Sequence, residues 1–181
     1  MTATVMPVDA NGYALQNDAT THHTVVIDHF DHSVNDGSFF YVCDYTTLGA
    51  SATADFVVTT PDTTTWAYMT MNIEGANDGV RLEIYEGTTH DGDGSAVTAL
   101  NSNRNSAATT VLTIQLDPTI SNDGTRIYGD QSGQNRRTGT VGRGRALILK
   151  QDEDYLFRIT SLGAANVVSY CGEWYEHASL D

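Results

Sequence analysis

Lysine is nearly absent from this 181-residue sequence: Lys150 stands beside eight arginines and 23 acidic residues, most of them Asp, and the formal net charge is −14. Because affinity for nucleic-acid phosphates comes largely from Lys and Arg, we expect no nucleic-acid binding. Short Asp side chains suit molar salt, where charge repulsion is screened within about 3 Å. The composition therefore fits a halophilic source and an ordinary acidic protein equally well. The refolding yield at different salt concentrations distinguishes them, because full stability in dilute buffer would exclude a halophilic protein.

Long hydrophobic runs are also missing. No apolar stretch approaches the ~20 residues of a membrane helix, so we expect no membrane contact. Residues 1–12 lack the charged start and apolar segment of a secretory signal, and we expect no export by that route. Residues 1–23 show little periodicity and are predicted to form an extended N-terminal arm that orders against a partner. Residues 24–181 are predicted to form one domain.

Cysteine is scarce, and both cysteines, Cys43 and Cys171, fall in predicted strands. The default expectation is a pair of buried thiols. A single disulfide between the first and last strands is the alternative, and sequence alone leaves it open.

The sequence has no convincing amphipathic helix of three turns. Apolar and polar residues alternate instead, which predicts β-strands. In residues 79–86, for example, Val80, Leu82 and Ile84 are predicted to face inward. The last two runs, 154–161 and 165–176, flank Leu162-Gly163-Ala164, which predicts a closing β-hairpin. The other predicted strands are residues 24–29, 38–46, 53–60, 65–74, 79–86, 109–116, 125–128 and 145–150.

Turn signals agree with this division. Asn-Asp-Gly occurs at residues 35–37, 77–79 and 122–124, and Asp-Gly readily adopts the positive φ of tight turns. Residues 88–108 and 129–144 are too polar or too rich in glycine for strands and are predicted as long loops. The fold class is therefore all-β: an antiparallel two-sheet β-sandwich of the jelly-roll type, with the N-terminal arm.

Two clusters are candidate metal sites. His22, His23, His29 and His32 have no second ligand cluster at a spacing typical of zinc, so local hydrogen bonding at a strand end and turn is favoured over a metal site. The run Asp-Gly-Asp-Gly-Ser at 91–95 lacks the closing Glu of a calcium loop, which favours a turn, with loose cation binding as the alternative. We expect no metal and no cofactor.

Paired carboxylates are the remaining catalytic candidates. Glu83 and Glu86 differ by an odd number, as do Glu173 and Glu176, so each pair is predicted to project to opposite faces of its strand. Acids from different strands stay possible as a glycosidase pair. No Ser-His-Asp order, nucleophile elbow or Walker loop is present. We therefore expect no enzyme and assign no catalytic residue.

Arginine is concentrated in one stretch: Arg136, Arg137, Arg143 and Arg145 are four of the nine basic residues. In so acidic a protein a local basic patch suits contact with an acidic surface, either another copy or another protein. The alternative is a solvated loop with scattered charge.

Four stretches together carry a resemblance: Asn101-Ser102-Asn103-Arg104-Asn105, residues 27–40 with His29, His32, Gly37 and Phe39, Leu-Glu-Ile-Tyr-Glu-Gly at 82–87, and Trp174-Tyr175-Glu176-His177. From about Val25 onward the sequence resembles a family of structural proteins from tailed viruses of bacteria and archaea. The spacing from His32 to Gly37 is longer than the family's.

The resemblance implies a virion component: a capsid decoration, cement or turret protein on the outer capsid surface. Its implied partners are the major capsid protein and itself, as a homotrimer or homopentamer, and the halophilic composition suggests a haloarchaeal tailed virus. The arm and the arginine loop would grip the shell. Asn101, Asn103, Arg104 and Asn105 are placed at a subunit interface, because amides and a guanidinium bond well to neighbouring backbone; the alternative is a loop that satisfies its own turns.

A second function from another class is host attachment, in which a lectin-like sandwich stacks aromatic side chains on sugar. Trp66, Tyr68, Tyr85 and Trp174 are the candidates for this role. Such aromatics also commonly fill a β core, so their position in the fold decides between the two interpretations.

Overall fold

A computed structural model describes residues 29–133, 139–142 and 145–178. The predicted arm, residues 1–23, lies outside this range. The described elements are one helix and fourteen strands: α1 (His29–Asp36), β1 (Phe39–Leu48), β2 (Thr53–Thr60), β3 (Trp66–Gly75), β4 (Val80–Glu86), β5 (Thr89–His90), β6 (Ser95–Ala96), β7 (Leu100–Asn101), β8 (Thr113–Leu116), β9 (Ile120–Asn122), β10 (Thr125–Gln131), β11 (Gly139–Gly142), β12 (Leu147–Ile148), β13 (Glu153–Ser161) and β14 (Asn166–His177).

Two antiparallel sheets pack against each other, as the all-β sandwich prediction requires. The first sheet has the order β11-β3-β14-β1-β7, and β12 also pairs with β3. The second sheet has the order β10-β4-β13-β2-β8-β6, and β5 and β9 form a separate two-stranded ribbon. Every pairing is antiparallel.

The long last strands are the centres of the two sheets, but the predicted hairpin between them is wrong. β13 pairs with β2 and β4, whereas β14 pairs with β1 and β3. Both edges of each strand are thus already hydrogen-bonded within its own sheet. The turn after β13 therefore carries the chain from one sheet to the other.

Alternation places the core between the sheets as predicted. Val80, Leu82 and Ile84 are at most 1 % exposed, and Trp174 stacks on Phe40 with ring centroids 6.1 Å apart. The buried hydrophobic cluster comprises Phe40, Leu48, Ala54, Phe56, Val58, Ala67, Met69, Met71, Ile73, Val80, Leu82, Ile84, Leu112, Ile114, Val141, Leu149, Tyr155, Phe157, Ile159, Val168, Tyr170 and Trp174.

The predicted strand over 24–29 is contradicted at its last residue, where α1 begins. The Asn-Asp-Gly at 35–37 ends this helix instead of forming a hairpin. Gly37 has φ +81°, its N–H donates to the Val34 carbonyl at 3.2 Å, and the Ser38 N–H donates to the Ser33 carbonyl at 2.9 Å. This is the Schellman pattern that glycine favours after a helix. Gly124 also has a positive φ, and Gly79 does not.

Both predicted long loops contain short strands. β5, β6 and β7 lie within 88–108, and β11 lies within the glycine-rich 129–144 stretch, where it pairs with residues 72–75 of β3. These strands have weak propensity of their own. The neighbouring strands supply their hydrogen bonds, which overrides local sequence preference.

Gly172 offers a stabilising substitution. It faces inward on β14 beside a small apolar cavity of about 20 Å³, and an added Cβ would lie 3.4 Å from Met71 Sδ, an ordinary contact. We expect Gly172→Ala to raise the free energy of unfolding by about 0.5–1 kcal/mol, because glycine loses more entropy in a strand than alanine. Chemical denaturation measures this change.

Gly75 is the matched control, since it also faces inward, on β3. There an added Cβ would overlap the Asp78 carbonyl oxygen and crowd Val80 at 2.9 Å. Gly75→Ala is expected to destabilise the protein. Equal effects of the two substitutions would contradict this account of the core.

Candidate binding surface

The loop at 101–105, predicted as a contact, is held by its own amides. The buried Asn101 side chain donates from Nδ2 to the carbonyls of Gly37 at 2.7 Å and Ala108 at 3.2 Å, and it accepts from the Asn103 N–H at 2.8 Å. Asn103 Nδ2 donates to the Asn35 carbonyl at 3.0 Å. The loop therefore satisfies its own turns and fastens the end of α1, which was the alternative interpretation.

The structure describes only some of the remaining predicted contact residues. Arg104 and Asn105 are exposed, as is Arg145, which follows β11. Arg136, Arg137 and Arg143 lie outside the described residues. A role in contacts between molecules stays a prediction for all of these residues and for Asn101 and Asn103.

Of the metal candidates, His22 and His23 lie outside the described residues, and within the described ranges no group of three or more His, Cys, Asp or Glu side chains could hold an ion. His32 Nδ1 lies 3.5 Å from Asp36 Oδ2. This contact is local, as expected, but it lies within helix α1 and not at a strand end. Asp93 accepts from the Thr119 N–H and hydroxyl, both at 2.7 Å. The hydrogen bond from the Thr119 N–H is the main cause that lowers the pKa of Asp93. The carboxylate thus stabilises the local turn by binding Thr119.

The paired acids project as predicted to opposite faces. Glu83 faces outward on β4, with Arg126 Nη1 at 2.7 Å and Arg81 Nε at 3.1 Å. Glu86, on the other side of that strand, accepts from Lys150 Nζ at 2.5 Å and from the Tyr155 hydroxyl at 3.1 Å. Each acid is thus committed to a bonded network within the chain.

Glu176 is a buried carboxylate at the end of β14. It accepts from the Thr110 hydroxyl at 2.5 Å, the Trp174 Nε1–H at 3.0 Å and the Val111 N–H at 3.1 Å. Burial raises its pKa, and these hydrogen bonds lower it in part. Because its acceptor oxygens are used, Glu176 serves to join the 109–111 segment to β14.

The outer face of the second sheet carries paired charges. Arg158 grips Asp55 with two parallel bonds, Nε–Oδ1 at 2.9 Å and Nη2–Oδ2 at 2.8 Å, while its Nη1 donates to Asp123 Oδ2 at 2.8 Å. The hydrogen bonds to Asp55 are the main cause that raises the pKa of Arg158. Bidentate pairs of this kind fix geometry as well as charge.

The chain's own ribbon covers part of this second outer face. His90 of β5 has Nε2 3.6 Å from Asp154 Oδ2 on β13. Val57 and Leu156 face outward by alternation and yet are at most 1 % exposed. The part of this face around Val57 and Leu156 is therefore covered by the chain itself.

The outer face of the first sheet is different, because aromatic side chains form a row across it. Phe39 of β1 lies opposite Tyr175 of β14, Tyr175 opposite Tyr68 of β3, and Tyr68 opposite Ile148 of β12. The Tyr175 and Tyr68 rings stack with centroids 4.5 Å apart and planes 11° apart. Phe30 of α1 meets Phe39 edge-on, also at 4.5 Å.

Exposed apolar side chains concentrate on this side. Of the five large hydrophobic residues exposed in the described ranges, Phe30 (51 %), Tyr45 (70 %), Leu100 (41 %) and Ile148 (49 %) lie here, and Ile127 (39 %) lies on β10. Exposed apolar residues that gather on one side mark an interaction site more often than singly scattered ones do. We call it the aromatic face, formed by Phe30, Phe39, Tyr41, Tyr45, Trp66, Tyr68, Leu100, Ile148 and Tyr175.

A disulfide joins Cys43 and Cys171 on the same side of the sheet. The two residues are direct partners of β1 and β14, with Cα atoms 4.1 Å apart. The expectation of buried thiols is wrong, because alternation turns both side chains outward and cross-strand pairing brings them together. The disulfide crosses the middle of the face.

The glycan-binding candidates separate by position. Trp174 is 1 % exposed and belongs to the core. Tyr85 lies under Arg158, whose guanidinium carbon is 5.8 Å from the ring centroid. Trp66 and Tyr68 belong to the aromatic face, and Tyr68 has one ring face covered by Tyr175.

The sequence matches no protein-family model and no curated protein. The helix in the described residues is too short to cross a membrane.

Sequence reasoning did not single out the aromatic face, although a signal was present. Phe39, Tyr41 and Tyr45 share the same parity in β1, and Trp66 and Tyr68 share one in β3. Parity alone shows that these rings lie on one side of their own strand. Strand pairing decides whether that side faces the core or the outside. It also places β14 between β1 and β3, which brings the two sets of rings together.

Proposed function

We propose that this chain is a virion structural protein, a capsid decoration, cement or turret protein that binds the major capsid protein and stabilises the shell through oligomeric assembly. The observation that carries the proposal is the aromatic face, which contrasts with the paired charges described on the outer face of the second sheet. Such a face suits contact with protein, since aromatic residues are enriched and charges depleted in interface cores. A cement protein that acts through oligomeric assembly requires rigid strands and a side that suits contact with protein, while the arm and the arginine loop are the segments expected to grip the shell.

The strand order supports the finer assignment of the sandwich as a jelly roll. Setting aside the short strands, β1-β14-β3-β11 form one sheet and β2-β13-β4-β10 the other. Consecutive strands alternate between the sheets up to β4, and β13 and β14 return to the centres of the two sheets. This strand order supports the two Greek keys of a jelly roll.

Host attachment through glycans is the second candidate, and Trp66 on the aromatic face is the observation in its favour. Sugar stacking needs an open ring face, and the Tyr68–Tyr175 stack uses one face of each ring. A glycan array with Trp66→Ala as the control tests this candidate. Specific binding that the substitution abolishes without unfolding the protein would favour attachment.

Cryo-electron microscopy of the intact virus at its native salt tests the main proposal. We expect ordered copies at capsid symmetry axes, with the aromatic face, the arm or the arginine loop against neighbouring protein. Density confined to the tail tip or fibres would favour host attachment. Absence of the chain from purified virions would overturn both candidates.

A further inference from the structure

We propose that the aromatic face is the surface through which two copies of this chain bind each other, sheet against sheet, about a two-fold axis. The proposal deepens the oligomeric assembly suggested above and rests on it. In a two-fold contact the same patch serves both partners, so a face needs only to match itself.

Charge distribution favours a second copy as the occupant. With a net charge of −14, two copies repel each other through most of their surface. Among the outward-facing residues of β1, β3 and β14, Glu74 and Glu173 are the ones with a formal charge. The corresponding residues of β2, β4 and β13 include Asp55, Arg81, Glu83, Asp154 and Arg158. The aromatic face therefore carries fewer charged side chains than the outer face of the second sheet, so two copies that meet there remove fewer charged groups from water.

The size of the face fits a stable pair. β1 and β3 have ten residues each, which at about 3.3 Å per residue gives a length of roughly 33 Å. Five strand positions spaced about 4.8 Å apart give a width of roughly 19 Å. The projected area of roughly 600 Å² approaches the ~800 Å² per partner of a standard interface.

The side chains also suit packing against a copy of themselves. The row from Tyr175 through Tyr68 to Ile148 crosses the strands, and Phe30 continues it at the β1 side by covering the buried Phe39, so aromatic and aliphatic side chains lie side by side across the face. Tyr and Phe bury large area with few rotatable bonds, which lowers the entropy cost of association. Tyr45 and Leu100 extend the apolar surface on the β1 side.

Salt should strengthen this contact. Screening removes the repulsion between two acidic copies, and excluded salts favour burial of apolar surface. A contact made by ion pairs would instead weaken as salt rises. The direction of the salt effect therefore distinguishes an apolar face from the arginine loop as the main contact.

Sedimentation equilibrium of the purified full chain, from 0.1 M to molar NaCl, tests the proposal. We expect a monomer–dimer equilibrium that shifts toward dimer with salt. Ile148→Lys is expected to weaken association at least tenfold, because each dimer then buries two added charges. Ile127→Lys, the same change at an exposed strand position outside the face, is expected to leave association unchanged. Tyr45→Lys is a second variant in the face, and unfolding midpoints show whether each variant is folded.

Several results would overturn the proposal. These are a monomer at every salt concentration, an assembly that weakens with salt, or equal effects of Ile148→Lys and Ile127→Lys. A trimer or pentamer that tolerates both substitutions in the face would do so as well. Failure here is distinguishable from failure of the proposed function, because a monomer can still occupy capsid axes and a dimer can be absent from virions.

Discussion

Removal of the disulfide between Cys43 and Cys171 is expected to lower the free energy of unfolding by about 2–5 kcal/mol. The bond joins residues 128 apart in sequence, so its loss frees most of the chain in the unfolded state. It also ties β1 to β14, the central strand of the first sheet. Denaturant unfolding of the Cys43→Ser/Cys171→Ser double variant, compared with the wild type, measures the difference.

A reducing agent provides the matched control for this experiment. A strong dithiol should destabilise the wild type by a similar amount and leave the double variant unchanged. Two free thiols per native chain, together with unfolding curves that do not respond to the dithiol, would show that the protein does not depend on this bond.

The sequence predicted the long strands well, because their alternation is strong. Residues 53–60 were predicted as a strand and form β2 with the same bounds, and 79–86 differs from β4 by one residue. Pairing was not predictable in the same way. The turn after β13 contains Gly163 and looks like a hairpin, yet the partners of β13 are strands that lie far from it in sequence.

The candidate surface was predictable only in part for a related reason. The Asn101 and Asn103 amides bond to the end of α1, a helix that the sequence pattern did not predict, and their role in contacts between molecules stays a prediction. Conversely, the aromatic face exists because β14 sits between β1 and β3 and supplies Tyr175 to both. Alternation predicts the side of each residue on its strand, whereas only strand order brings residues of different strands together.

Truncation of Glu176 is expected to be almost as costly as loss of the disulfide. Glu176→Ala removes the acceptor of the Thr110 hydroxyl and of the Val111 N–H, both partly buried, and leaves the Trp174 indole N–H to donate to the Thr110 hydroxyl oxygen at 3.2 Å. Each unsatisfied buried group costs about 1–3 kcal/mol, so with partial relaxation we expect a loss of about 3 kcal/mol. Glu176→Gln keeps one acceptor oxygen and is expected to cost about 1 kcal/mol or less at pH 7.

The pH dependence gives this prediction a second readout. Burial raises the pKa of Glu176 above its ordinary value of 4.5, so the folded state binds the proton more tightly than the unfolded chain does. The contribution of Glu176 to the free energy of unfolding is therefore fully present below pH 4.5 and declines as pH rises through the raised pKa. The wild type should gain stability relative to Glu176→Gln as pH falls from 7 to about 4.

Unfolding measured at several pH values on the wild type, the Gln variant and the Ala variant separates the two contributions. The comparison with Gln isolates the charge, because size and one acceptor are kept, and the comparison with Ala adds the lost hydrogen bonds. A wild type that loses stability relative to Gln on acidification would mean that its carboxylate is stabilised in the ionised form. Hydrogen bonds from Thr110, Trp174 and Val111 would then outweigh burial, which is the reverse of the balance inferred from the structure.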